Sequence, residues 1–298
     1  MVSRGLRKII RFLEHNKEKS KTATIEEQRA FLERLASIVP LPEDVHVERK
    51  DIDGIPAEWI TIPGGSEQQV ILYLHGGYYV AGSCNTHRDL ASRISRASKL
   101  CVLLIEYRLA PEHPFPEGLE DAIKAYNWIV STKKISPKNI LIAGDSAGGG
   151  LTLATLLKLK KMKIELPIAA ICLSPWTDLA NTGDSLKIKA EEDPSLTPER
   201  TVYCSKLYLG EEDPQNPLAS PLYADLKGLP PLLIHVGTAE IFLDDSVRFA
   251  KRAKEAGVDV KLEIWEDMIH VFHAYAAVAP EGQEGINKIG EFIQKFFD

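Results

Sequence analysis

The 298-residue sequence holds only four cysteines, Cys84, Cys101, Cys172 and Cys204, with no C-x-x-C pair among them. That spacing excludes the common zinc-ligand patterns and a disulfide framework, and no metal or organic cofactor is expected. Cys101 and Cys172 fall in apolar, strand-like runs and read as small buried hydrophobes, so a reducing, cytoplasmic setting is expected. No run of 18 apolar residues occurs, so no membrane span is expected. Basic residues are in deficit, 36 Lys and Arg against 42 Asp and Glu, and the net charge of −6 argues against nucleic acid as a partner. Internal repeats and low-complexity tracts are also missing. The opening MVSRGLRKIIRFLEHNKEK is basic, but Arg11 breaks its apolar stretch and no small-residue cleavage pattern follows. It is not expected to act as a secretory signal.

What is present is a hydrophobic content of 44%, enough to bury a large core in one domain or two. Leu6, Ile9, Ile10 and Leu13 share one face of a predicted helix over residues 4–14, which either packs on the fold or lies on a membrane surface. A second helix is predicted over 24–38, with Thr24 or Thr22 as its cap. From about Val45 the pattern turns to strands: VHVERKDI, AEWITIP and QVILYL, joined by short turns. Predicted helices at 86–98, 117–131, 151–160, 244–256 and 282–297 then alternate with strands at 101–105, 140–143, 168–173, 232–236 and 260–265. This alternation predicts an α/β fold with a mostly parallel sheet of about eight strands, an antiparallel start, and helices on both faces. Residues 179–215 break the rhythm, as functional insertions do. They are expected to lie above the C-terminal edge of the sheet, together with the helices of residues 1–44, while residues 45–298 form the main domain.

The chemistry centres on Gly144-Asp145-Ser146-Ala147-Gly148, a G-x-S-x-G sequence between an apolar strand and a Leu/Ala/Thr-rich helix. A serine at such a sharp strand-to-helix turn is an exposed nucleophile, and its small neighbours let strand and helix approach. The N–H of Ala147 and the positive end of the helix favour negative charge developing there. Upstream, His75-Gly76-Gly77-Tyr78-Tyr79 follows the strand QVILYL directly. Its glycine pair lets backbone N–H groups turn into the space above the sheet, where an oxyanion hole belongs. His75 precedes that turn and is expected to be structural. Downstream, Glu240 lies just past the strand 232–236, and His270 just past the strand 260–265. The order serine, acid, histidine suits a relay on this kind of sheet. Two alternatives stand beside it. His273 competes with His270 but falls in the closing helix, and Asp244 and Asp245 compete with Glu240 but read as first-turn residues of the next helix.

From about residue 40 onward the chain resembles the hormone-sensitive-lipase family of bacterial esterases and lipases, also called family IV, within the α/β-hydrolases. The resemblance rests on LHGGYYVAGS, EYRLAPEHPFPEGLED, AGDSAGGGL, LSPWTDL, VGTAEIFLDDS and WEDMIHVFH, in that order. It implies a helical cap built from the N-terminal helices and an insertion. It implies Ser146 as nucleophile, His270 as base, and the backbone N–H groups of Gly77 and Tyr78 with that of Ala147 as oxyanion donors, with Gly76 shaping the turn. Two departures stand out: Glu240-Ile241-Phe242 occupies the place of the usual Asp-Pro-Leu acid segment, and Tyr78 replaces the third glycine. Tyr78 or Tyr79 either narrows the pocket or packs under the cap. The implied activity is hydrolysis of short- to medium-chain carboxylic esters. An amidase or deacetylase on the same residues, or a non-catalytic binding homologue, are the alternatives. A small-molecule ester is the expected partner, and a homodimer is compatible with the sequence.

Overall fold

A computed structural model describes residues 2–297. Strands β1 (His46–Ile52), β2 (Ile55–Thr61), β3 (Ser66–Leu74), β4 (Leu100–Ile105), β5 (Ile140–Asp145), β6 (Ala169–Leu173), β7 (Leu232–Gly237) and β8 (Val260–Trp265) form one sheet. Their order is β1-β2-β4-β3-β5-β6-β7-β8, with β1 and β2 antiparallel and every pair from β4 to β8 parallel. This is the α/β-hydrolase arrangement, with the expected antiparallel start.

The apolar runs are long because both faces of the sheet are covered. Within β3, Val70, Leu72 and Leu74 belong to the core formed with α4 (Glu117–Ser131), α5 (Ala147–Met162) and α8 (Leu243–Glu255). Ile71 and Tyr73, one residue out of phase, join the core of α3 (Cys84–Ser98) and α9 (Pro280–Gln294). The predicted helix 151–160 starts earlier than expected, at Ala147, so it begins directly after Ser146.

The strand order reverses at β3, which lies between β4 and β5. At such a switch point the loops leaving adjacent strands diverge and open a crevice at their C-terminal ends. Register aligns those ends: Leu74 pairs with Gly144, Asp145 with Leu173, Leu173 with His235, and Gly237 with Trp265. Every loop that carries a candidate residue therefore leaves the sheet at one edge.

Above that edge lies the long β6–β7 connection, with α6 (Ser185–Ile188) and α7 (Pro198–Leu209). The N-terminal helices α1 (Arg4–Thr22) and α2 (Ile25–Ser37) touch it, and α2 opens on a Thr24–Glu27 capping box. Arg200 of α7 donates to the carbonyl of Ala23 at 2.7 Å and to Gln28. Arg29 of α2 donates to the carbonyl of Val80 at 2.7 Å, just past the glycine pair. The apolar face of α1 is packed and not free for a membrane: Leu6, Ile9, Ile10 and Leu13 cluster with Met268, Ile269 and Phe272. Among the described residues no helix is long and apolar enough to cross a membrane.

Candidate active site

Ser146 caps α5 with φ 53° and ψ −120°, a backbone conformation that side chains rarely adopt. The turn is held on three sides. Ser146 N–H donates to the carbonyl of Leu173 at 2.8 Å, and its own carbonyl accepts from Gly150 and Trp176. Gly148 permits the close crossing of helix and strand: a Cβ there would stand 1.9 Å from the carbonyl oxygen of Leu74. Strain recurs around the same edge, where Tyr78, Tyr79, Ser174 and Val271 all have φ between 47° and 63°.

The turn after β3 is tied to the serine turn by Asp145. Its Oδ1 accepts from Gly76 N–H at 3.1 Å and from the Tyr73 hydroxyl at 2.9 Å, and His87 Nε2 lies 3.5 Å from Oδ2. Burial alone would raise its pKa, but the pull of His87, with smaller contributions from Tyr73 and His75, leaves it lowered. With the Gly76 N–H occupied, the next two, of Gly77 and Tyr78, have no hydrogen-bond partner among the described residues. Ala147 is the first residue of α5, where N–H groups lack an intrahelical acceptor. His75 is structural, as expected: Nδ1 sits 2.8 Å from the Gly76 carbonyl, and the ring stacks on Tyr107. Burial lowers its pKa to about 3. Tyr79 stacks on Tyr208 of α7 at 3.8 Å, and Tyr78 meets Trp176 edge-on at 5.7 Å.

Glu240 is fully buried and bridges three segments. Oε2 lies 2.7 Å from His270 Nδ1, while Oε1 accepts from Gly237 N–H at 2.7 Å and the Ser174 hydroxyl at 2.8 Å. Burial works against a charged imidazole at His270, but Glu240, and more weakly Asp193 and Asp145, outweigh it and raise its pKa. With Nδ1 committed to Glu240, Nε2 is the nitrogen left for a proton from the substrate side. The Ser146 hydroxyl makes no hydrogen bond to His270 here.

The alternatives fall elsewhere. Asp244 accepts from Ser185 N–H at 2.8 Å and Asp245 from the N–H groups of Thr177 and Asp178, so both brace the insertion. His273 is not in the closing helix as predicted: it lies in a 3-10 turn, Phe272–Tyr275, and α9 starts only at Pro280. Its Nε2 sits 3.0 Å from His235 Nδ1, inside the core, and it makes no hydrogen bond to Glu240 among the described residues. Sequence reasoning missed Ser174 and Asp193. Ser174 had one available signal, its place directly after an apolar strand in LSPWTDL; Asp193 had none beyond lying in the charged insertion.

A family profile described as alpha/beta hydrolase fold matches residues 71–274. An acetyl-hydrolase of Streptomyces hygroscopicus is 42% identical over 238 residues, 80% of this chain and 79% of that protein. An esterase of Acinetobacter venetianus is 36% identical over 265 residues, 89% and 87% of the two chains. The crystal structure of an esterase from the bacterial hormone-sensitive lipase family superposes over 100% of both chains, with a TM-score of 0.95 and 46% identity. With the sheet order, the strained serine turn and these likenesses together, the chain belongs to the α/β-hydrolases and, within them, to the bacterial hormone-sensitive-lipase family of esterases.

Proposed function

We propose that the protein is a serine carboxylesterase in which Ser146 is the nucleophile, His270 the base and Glu240 the acid. The observation that carries this is the 2.7 Å contact between Glu240 and His270, on the sheet edge where Ser146 stands in a strained turn. Ser146 attacks the ester carbonyl while His270 Nε2 takes its proton, and Glu240 holds the ring and balances the imidazolium. The N–H groups of Gly77, Tyr78 and Ala147 receive the tetrahedral oxyanion. His270 then returns its proton to the leaving alcohol, and water releases the acyl group by the same base. The serine–histidine contact forms with substrate bound, as is common when the free enzyme leaves it long.

The helices of residues 1–44 and the insertion act as a cap. Ser146 is 6% exposed beneath them, which supports a cap that moves to admit substrate. Short to medium acyl chains are the proposed substrates, supported by tyrosines Tyr78 and Tyr79 crowding the turn beside Trp176 and by the acetyl-hydrolase relative. The four free, buried cysteines support a reducing, cytoplasmic setting. A homodimer is supported by the outer edge of β8, which ends the sheet with Ile264 half exposed.

Ser146→Ala should lower hydrolysis of p-nitrophenyl acetate by about 10⁴-fold or more. Glu240→Ala should be nearly as severe, while Asp244→Ala keeps turnover within about 3-fold. Retained activity in Ser146→Ala would refute the nucleophile, and the reverse ranking of the two acids would refute Glu240.

A further inference from the structure

The β6–β7 insertion sends a fully buried carboxylate, Asp193, toward the loop that holds Glu240. Its Oδ1 accepts from the N–H groups of Leu196 at 2.8 Å and Ser195 at 2.9 Å and from the Ser195 hydroxyl at 3.1 Å. Its Oδ2 accepts from Ile241 N–H at 3.0 Å, one residue beyond Glu240. Three of these four partners are backbone N–H groups that can only donate, and the Ser195 hydroxyl is placed as a fourth donor, so the ionised form fits the site. Among the described residues no lysine or arginine pairs with this carboxylate. Lys17 of α1 donates instead to the main-chain carbonyl of Asp193, and to that of Ala190 at 2.7 Å.

The groups around Asp193 come from four elements: Ile241 from the β7–α8 loop, His270 and Tyr275 from the segment after β8, Tyr78 from the turn after β3, and Lys17 from α1. Burial holds both tyrosines neutral by raising their pKa values. Burial also raises that of Asp193, against the pull of His270 and the backbone donors. Around His270 the charged groups are Glu240, Asp193 and Asp145. Of all these, His270 is the one whose charge changes during ester hydrolysis.

We propose that Asp193 is a positioning residue for this reaction: it pins the acid loop through Ile241 and sets a second negative charge near the imidazolium that His270 becomes. Because Lys17 seats the Asp193 segment on α1, docking of the insertion on the N-terminal helix is thereby coupled to the strength of the base. The inference rests on His270 being that base.

Asp193→Asn keeps the shape and removes the charge. In a profile of kcat and kcat/KM for p-nitrophenyl acetate from acid to alkaline pH, its acid limb should fall by about half a pH unit to one unit. Losing a negative charge makes the imidazolium easier to deprotonate, so activity extends to lower pH. On the plateau kcat should drop about 3- to 10-fold with KM within about 2-fold. Asp193→Glu, which keeps the charge, should return the limb to within about 0.2 unit of the wild type. An acid limb unmoved in Asp193→Asn overturns the proposal. Lys17→Met provides the test should Asp193→Asn fail to fold: it frees the segment without touching the carboxylate. It should lower plateau kcat about 2- to 5-fold and move the limb the same way; a wild-type kcat and limb would overturn the coupling. Ser146→Ala separates the two readings. If it stays active the triad itself falls; if it is dead and the limb still does not move, only the role of Asp193 falls.

Discussion

Ser174 places its hydroxyl between Glu240 and the backbone that follows His270: Oγ donates to Glu240 Oε1 at 2.8 Å and accepts from Val271 N–H at 3.1 Å. Ser174 itself follows β6 with φ 48°, and its N–H donates to the carbonyl of His235 at 2.7 Å in β7. One side chain thus fixes both ends of the Glu240–His270 contact relative to the sheet. Val271, a β-branched residue at φ 47°, is held in that strained conformation in part by this bond.

Ser174→Ala should therefore weaken turnover more than binding. It leaves Val271 N–H without an acceptor and Glu240 Oε1 with one donor fewer, both out of contact with solvent. The expected outcome is a fall in kcat of about 10-fold or more with KM changed less than about 3-fold, and a stability loss of about 1–3 kcal/mol. Steady-state kinetics paired with urea unfolding checks it. Equal effects on kcat and KM, or an unchanged kcat, would show that the hydroxyl does not position the acid.

Asp145 does for the turn after β3 what Ser174 does for the loop of His270. It occupies Gly76 N–H, which leaves the next two N–H groups to point elsewhere. A side chain at Gly76 would collide with it, since a Cβ there stands 2.2 Å from Asp145 Oδ2. Asp145→Ala should loosen the turn and cost about 10- to 100-fold in kcat, somewhat less than the loss of a direct oxyanion donor. Binding of a neutral transition-state mimic such as a trifluoromethyl ketone should weaken in parallel, while binding of a product alcohol should not. A parallel loss in both would assign Asp145 to folding alone.

Leu6 has no solvent exposure and packs from α1 against Met268, Ile269 and Phe272, on either side of His270. Leu6→Ala should destabilise by about 2–4 kcal/mol through the cavity it leaves, and should also lower kcat, because the loop it supports carries His270, the proposed base. Ile38→Ala, at a position 74% exposed, provides the control and should stay within about 0.5 kcal/mol of the wild type. A Leu6→Ala enzyme with reduced melting temperature but full kcat would separate α1 from the histidine loop.

The strands and most helices were readable because burial on both faces leaves continuous apolar runs in β3 and β4, and burial on one side leaves a helical stripe in α1, α8 and α9. Ser146, Glu240 and His270 were readable because Ser146 follows β5 directly and the other two lie within five residues of the ends of β7 and β8. What the residue pattern could not carry were contacts set by the register of distant strands. Ser174 and Glu240 are 66 residues apart, and Asp193 and Ile241 are 48 apart. No local periodicity encodes such pairs. The choice among Glu240, Asp244 and Asp245 was equally non-local, since all three are acidic, close in sequence and near a helix start. The 3-10 turn at His273 was missed because Ala-rich sequence before Pro280 reads as helix, whereas the backbone turns first at Val271 and only resumes a helix at the proline.

Asp245 gives a pH-dependent test of the bracing beneath the insertion. Burial, with Asp178 adding to it, pushes its carboxyl up to about 8, against the pull of the Thr177 and Asp178 N–H groups and of Arg248. An unfolded aspartate titrates near 3.9, so between about pH 4 and 8 the folded chain holds a proton that the unfolded chain has released. Stability from this group is complete below about pH 4 and is lost as pH rises through about 8. Asp245→Asn removes the titration while its amide oxygen can still accept from Thr177 and Asp178, which now donate at 2.7 and 2.9 Å. The buried histidines His235 and His273, whose pKa values burial lowers, act alike in both proteins and cancel in the difference. The melting temperature of Asp245→Asn relative to the wild type should therefore climb steadily from pH 5 to pH 8 and level off above it, by a few degrees in all. Melting curves at one-unit intervals of pH decide the matter: a difference that stays flat over this range would mean that the carboxylate is already ionised in the folded protein, held so by its two backbone donors.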